Sequence, residues 1–294
     1  MSVRLGVTLP QFTGDAAVFT DGVRRAEGLG FDSLWCFDHL WPLGARTRPI
    51  LEGWTALAWA AATTEAATVG TLVTRSSLRH PAVLAKMAAT VSEIAPGRVC
   101  VAIGSGDHVS SAENLAFGIP YWSGADRVDQ LASVVEVLHR FRSDEPVTVA
   151  DDFTEISGLQ PHPGPRDYSI WVAGRSVAVL DVAGRLADGW NAWAASPEEF
   201  AQAAAALREV TGERPIELTW GAQVVVAATD EAAHERLGAR NPAHFVTGGP
   251  ETVGAYLRAV VDAGADHLVL ASPFASDPRS YELLAGPVRK AAGL

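Results

Sequence analysis

Three polar clusters close apolar runs of this chain and carry side chains able to do chemistry. Asp38-His39 joins the side chain best suited to proton transfer near neutrality to a carboxylate. It reads equally as a loop histidine in ordinary hydrogen bonding. Gly104-Ser105-Gly106-Asp107 offers glycines that let a ligand approach the backbone, with Asp107 as a second acid/base group; a flexible turn is the other reading. Gly174-Arg175-Ser176 precedes the helical pattern that opens at Val177. Successive N–H groups there can nest an anion such as a phosphate, or Ser176 can simply cap the helix. Trp41, Trp122 and Trp193 fall in expected loops, where they can wall a flat aromatic ligand. Trp35, Trp54, Trp59, Trp171, Trp190 and Trp220 read as core. His80, before Pro81, reads as structural at a helix start, and the other histidines lack metal-ligand spacing.

The elements that must position these groups alternate. Strand patterns are expected at Val3–Leu9, Ser33–Phe37, Thr68–Thr74, Arg98–Ile103, Ile170–Ala173, Asp188–Ala192, Glu217–Ala227 and His267–Ala271. Helix patterns fall between them at Ala16–Leu29, Trp54–Glu65, Pro81–Ile94, Asp126–Arg142, Val177–Leu186, Pro197–Val210 and Glu251–Ala263, with a last one at Pro278–Ala292. Eight strands, nearly all followed by helices, predict an α/β chain of the (β/α)8 TIM-type barrel class spanning 1–294 as one domain. A hairpin insertion, about 145–167, interrupts the rhythm before strand five. In such barrels the reacting groups stand at the C-terminal strand ends, where all three clusters fall.

Composition bounds the function. The net charge of −11 gives no basic surface for nucleic acid. No apolar run is long enough for a membrane span, and the first residues lack a signal-peptide pattern, so a cytoplasmic location is expected. Cys36 and Cys100, each alone in an apolar run, give neither a disulfide framework nor a zinc site. A small-molecule enzyme or binder remains.

In order along the chain, RLGVTLPQF (4–12), GLGFDSLWCFDHL (28–40), VGTLVTRSSLRHPAVLAKMAAT (69–90), GRVCVAIGSGDHVSSAENLAFGIP (97–120), IWVAGRSVAVLDVAGRLADGWN (170–191) and GGPETVGAYLRAVVDAGADHLVL (248–270) resemble the luciferase-like superfamily of flavin and deazaflavin enzymes. The likeness is strongest to the branch that uses coenzyme F420. It implies Asp38 and His39 beside the cofactor ring, and Asp107 on the substrate side of the Gly106 turn. It further implies that Gly174, Arg175, Ser176 and Val177 hold the cofactor phosphate. A bulge with a non-prolyl cis peptide is implied behind the ring, at Thr74–Arg75 give or take one residue. Arg75, Arg79 and Arg175 are the arginines expected near the phosphate end, and Trp41 and Trp193 are expected against the substrate.

On this resemblance the chain is a hydride-transferring oxidoreductase, with His39 moving a proton and Asp107 as second acid/base or orienting group. The sugar-phosphate dehydrogenases of the branch hold their substrate with lysines. Lys86 and Lys290, the two lysines here, are not placed for that. An alcohol, ketone, imine or activated alkene is expected instead. The alternatives are a monooxygenase using reduced FMN and oxygen with a partner reductase, and a non-catalytic flavin-binding protein. The resemblance also implies a homodimer, for which the alanine-rich helix Trp54–Glu65 is either one face or part of the barrel's own outer layer.

Overall fold

The computed structural model describes residues 2–42, 45–107, 109–164 and 166–294. Eight parallel strands close into a barrel: β1 (Arg4–Thr8), β2 (Ser33–Cys36), β3 (Thr68–Arg75), β4 (Val99–Gly104), β7 (Ser169–Ala173), β8 (Gly189–Trp193), β9 (Glu217–Val226) and β11 (His267–Ala271). Each pairs with the next in that order, and β11 returns to β1. The expected (β/α)8 architecture is therefore present. β5 (Val147–Ala150) and β6 (Glu155–Leu159) form the antiparallel hairpin before β7. A further strand unassigned from sequence, β10 (Phe245–Gly248), extends the sheet beside the C-terminal half of β9.

The strands read as apolar runs because both faces are buried, one by helices and one by the barrel interior. The outer layer comprises α1 (Ala16–Gly28), α2 (Gly53–Thr63), α3 (Pro81–Ile94), α5 (Asp126–Phe141), α6 (Val177–Leu186), α7 (Pro197–Thr211) and α9 (Pro250–Asp262). Two short helices, α4 (Ser111–Ala116) and α8 (Asp230–Leu237), escape the sequence pattern. The C-terminal helix begins as α10 (Pro278–Leu283), widens to a π-helical stretch at Leu284–Val288 around Pro287, which has no N–H to give, and ends as α11 (Arg289–Ala292).

Helix starts are set by local chemistry. The His80 side chain accepts from Ala82 N ahead of Pro81, the structural role expected of it. Ser196 and Glu199 form a reciprocal capping box on α7. α2 packs on β2, β3, α1 and α3 as one helix of the barrel's outer layer, and its Ala58 lines an open groove. Trp59 corrects the sequence reading: it is 39% exposed, its ring 5.8 Å from Phe19, because an all-apolar helix does not reveal which face is covered.

The barrel interior is plugged by Trp35 and Trp171, with ring centroids 4.8 Å apart, together with Leu72, Cys100, Ala102 and Val269. Two glycines make this possible. A methyl at Gly70 would meet Trp35 at 2.4 Å, and one at Gly189 would meet Trp171 at 2.4 Å. Below the plug, at the N-terminal strand ends, runs a buried polar chain. Trp35 Nε1 can only donate, to Ser33 Oγ at 2.7 Å. The Ser33 hydroxyl in turn donates to His267 Nε2 at 2.7 Å, leaving His267 Nδ1–H for Glu217 at 3.3 Å, which also pairs with Arg4. Burial pushes the His267 pKa down against the pull of Glu217, in keeping with a neutral ring. The plug and this chain close the lower end, so a ligand enters only from above.

Candidate active site

Trp35 and Trp171 lie two residues before Phe37 and Ala173, so the next inward-facing layer forms the floor of an open cavity. That cavity, about 250 Å³, is lined by Phe37, His39, Leu72, Val73, Asn191 and Trp193, with Arg75, Gly104, Gly106, Asp107 and Gln223 around them. Gln11 places its entrance. Its amide donates to Phe37 O and Leu51 O, both at 2.7 Å, and accepts from Phe37 N at 2.8 Å, pinning the end of β2 that carries Asp38-His39.

His39 is held from behind. Its Nδ1 lies 3.2 Å from Glu113 Oε2. Glu113, on α4 and fully buried, also accepts from Leu40 N, from Trp41 N at 2.9 Å and from Arg75. Burial alone would raise its pKa, but the hydrogen bonds from His39 and Arg75 more than offset this and hold it at about 2. Glu113 Oε2 can accept only from a protonated Nδ1, which leaves the Nε2 lone pair free to act, whereas Arg75 Nη2, also 3.2 Å from Nδ1, can donate only to the other tautomer. Glu113, an acid in a six-residue helix without period, carries no signal in the sequence.

Several expected site residues are held by partners within the protein. Asp38 belongs to the cavity wall, but its carboxylate is buried and clamped by Arg79 at 2.6 and 2.9 Å, and Arg79 also pairs with Glu52, the cap of α2. Arg75, 4% exposed, bonds Glu113 and, at 2.6 Å, Asn114 Oδ1. Buried carboxylates hold both Arg75 and Arg79. Thr74 turns away from the cavity, bonding Trp54 Nε1 at 3.0 Å and Thr71 Oγ1 at 2.8 Å. The non-prolyl cis peptide is Leu72–Val73, two residues before the expected bond, inside a register shift between Thr71 and Thr74. Leu72 and Val73 are thus the backing of the cavity.

Asp107 lines the rim, its Oδ1 accepting from Ser110 N and Oγ, both at 2.9 Å. Gly106, with φ of +73°, lets the turn pass over the Arg75 side chain. His108 lies outside the described residues. Trp193 stands edge-on to Phe37 at 6.1 Å. Trp41 lies outside the cavity lining, against Phe117 at 5.7 Å with Arg46 over its ring, and Trp122 packs on Phe153 of the hairpin at 5.7 Å.

Beside Ala173 the chain turns through Gly174, with φ of +139°, into α6, where Ser176 caps Val179 N. The N–H groups of Arg175, Ser176 and Val177 find no acceptor among the described residues, and Val177 is 85% exposed. Arg175 is half-exposed and pairs with Glu199 at 2.8 Å. Asn191 adds a signal of its own. Its Nδ2 donates to Thr219 Oγ1 at 2.9 Å, while its Oδ1 is buried in the cavity wall with no partner among the described residues. A buried orphan acceptor is costly and calls for a donor from a ligand.

A closed parallel barrel thus carries at its C-terminal end a backed histidine, an orphan acceptor and a row of unpaired backbone N–H groups around one cavity. The chain belongs to the luciferase-like monooxygenase family, whose sequence profile matches residues 4–268. It is 32% identical over 174 residues to an F420-dependent glucose-6-phosphate dehydrogenase of Intrasporangium calvum, covering 58% of this chain and 52% of that one. It is 26% identical over 234 residues to a 5,10-methylenetetrahydromethanopterin reductase of Methanolobus tindarius, covering 78% and 68%. The chain spans about half the length of the first of these relatives. Its fold matches an F420-dependent secondary alcohol dehydrogenase in complex with an F420-acetone adduct with a TM-score of 0.85, at 22% identity over 98% of this chain and 100% of the other.

Proposed function

We propose that this chain is an oxidoreductase that transfers a hydride between coenzyme F420 and a small organic substrate: an alcohol or ketone, an imine or an activated alkene. The observation that carries this reading is His39, oriented by Glu113 at the wall of a cavity that also holds an orphan acceptor. F420-dependent relatives support the cofactor. The residues fit it. Asn191 Oδ1 would accept from an imide N–H of the ring, Leu72, Val73 and Trp193 would cover its faces, and the N–H groups of Arg175, Ser176 and Val177 would hold its phosphate.

When bound, the deazaflavin supplies a two-electron hydride acceptor or donor, so an alcohol C–H hydrogen leaves with both electrons while its hydroxyl proton goes to the protein. His39 Nε2 takes that proton, or returns it when a ketone is reduced. Glu113 keeps the Nδ1–H in place through the transfer and stabilises the imidazolium that results. Asp107, fixed by Ser110, orients the substrate from the rim. Phe37, Trp193 and the tryptophan plug exclude water beneath the reacting atoms.

Two further expectations accompany this reading. The free, buried Cys36 and Cys100 suit a reducing cytoplasm. No helix among the described residues is long and apolar enough to cross a membrane. A homodimer would cover the apolar groove between α2 and α3, where Ala58, Val83 and Met87 meet Leu159 of the hairpin.

Titration with oxidised F420 and separately with FMN, followed by tryptophan fluorescence, tests the proposal. F420 binding at about micromolar Kd or tighter, with FMN much weaker, is expected. Preference for FMN would overturn it in favour of oxygen chemistry with a partner reductase.

A further inference from the structure

A second cavity of about 490 Å³ opens beside the first and shares Phe37, His39 and Gln223 with it. His39 therefore stands between two spaces, one backed by Leu72–Val73 and one reaching toward the ends of β1, β9 and β11. The walls of the second are mostly apolar, with Phe12 and Val18 on one side and Ala271 and Pro273 on the other. Its charged residues are Arg48 and Arg240, and no carboxylate lines it among the described residues.

Neither arginine has an ion pair among the described residues. The Arg240 guanidinium lies over the Phe274 ring at 4.9 Å and its Nη1 donates to Leu237 O at 3.0 Å, which orders the head group while no carboxylate compensates its charge. This contrasts with the cation clusters elsewhere: Arg75, Arg79 and Arg175 each meet a carboxylate. In a chain with a net charge of −11, an acid-free cavity with two unpaired guanidiniums is an anion receptor by composition. A guanidinium fork matches the planar spread of a carboxylate or the oxygens of a phosphate.

We propose that this second cavity is the substrate site, and that the substrate is an amphipathic anion. Its apolar body lies along Phe12, Phe37 and Val18, with the reacting carbon at His39 and an oxyanion end at Arg48 and Arg240. The inference rests on the hydride-transfer reading for which group reacts, but not for binding. It replaces the less charged substrate expected from the scarcity of lysine, since arginines take that role. The cofactor's own anionic tail is the competing source of negative charge.

Isothermal titration with 4-phenylbutyrate and its uncharged analogue 4-phenylbutan-1-ol, with and without F420 present, tests the assignment. The acid should bind at least about tenfold tighter than the alcohol, a difference that shrinks with added salt. An R48Q/R240Q variant should lose that preference while its Kd for F420 and its Tm stay unchanged; both side chains are exposed, so folding is not at stake. Equal binding of acid and alcohol overturns the proposal. So does an F420 Kd weakened in the variant with the acid preference intact, which would give the arginines to the cofactor tail. Acid binding without F420 affinity would leave the anion site standing and sink the cofactor reading alone.

Discussion

His39 Nδ1 and Glu113 Oε2 stand 3.2 Å apart, although 74 positions separate them in the chain. The contact favours the tautomer protonated on Nδ1, which on the proposed mechanism leaves Nε2 to move the proton. Removing the base, in His39→Ala, should lower turnover by about 10²–10⁴-fold while changing F420 affinity little. Glu113→Gln keeps the acceptor for Leu40 N and Trp41 N, but its amide donates toward Nδ1 and selects the wrong tautomer. Its kcat should fall by roughly tenfold to a hundredfold with KM nearly constant, and its pH–rate profile should move. An unchanged kcat and profile would make Glu113 a purely structural residue.

The same carboxylate supports stability. Arg75 is 4% exposed, and Glu113 is its charged partner. Glu113→Ala leaves a guanidinium buried without compensation and should cost about 3–5 kcal/mol in urea unfolding. A loss below about 1 kcal/mol would mean that Asn114 and water satisfy Arg75 alone.

Asn191→Leu separates binding from folding. The substitution keeps the volume and removes an orphan acceptor. Thr219 keeps its own bond to Trp190 O at 2.9 Å, so Tm should hold or rise. Affinity for F420 should fall by about tenfold, one hydrogen bond's worth. Unaltered affinity in fluorescence titration would place the ring elsewhere.

The barrel and its hairpin were legible because a strand buried on both faces writes an apolar run, and a capped helix writes its start in Ser196, Glu199 or His80-Pro81. The site was legible in residue types at strand ends, and His39, Asp107, Asn191 and Trp193 do gather at one mouth. Partnership was not legible. Asp38 is a carboxylate wherever it points, and only the fold brings Arg79 onto it. Glu113 looks like any surface acid until α4 is laid over the end of β2. The arginine-lined cavity is likewise a product of topology, since nothing in the sequence pairs Arg48 with Arg240.

Gly70→Ala tests the plug beneath the site. The added methyl would lie 2.4 Å from Trp35 Cζ3 and 2.8 Å from Cys100 O, so neither ring nor backbone can yield cheaply. A loss of at least about 1–3 kcal/mol is expected, as a lowered urea midpoint with an unchanged m-value. Weaker cofactor binding should accompany it, because Trp35 would be driven toward Phe37. A neutral substitution would show that the plug has slack.

Acid should destabilise the fold in two windows. His267 has its pKa pushed below 6.5 by burial, so as pH falls below that value the unfolded chain takes a proton that the folded chain refuses. Stability is therefore full above about pH 6.5 and declines toward the folded pKa, with a slope of up to ~1.4 kcal/mol per pH unit from this group. Glu217 and Glu113 are held below 4.5 in the fold, Glu113 at about 2, and their contribution is lost as pH falls from 4.5. Urea unfolding of the parent and a His267→Gln variant between pH 7.5 and 3, on the order of these windows, distinguishes the two. The variant should be less stable at pH 7 because Ser33 and Glu217 lose a partner, yet flatter between about pH 6.5 and 5; below pH 4.5 it should keep the Glu113 part of the loss but less of the Glu217 part, which depends on His267. Parallel curves throughout would mean that His267 takes up its proton in the fold as readily as in the unfolded chain, and that the neutral His267 ring is wrongly assigned.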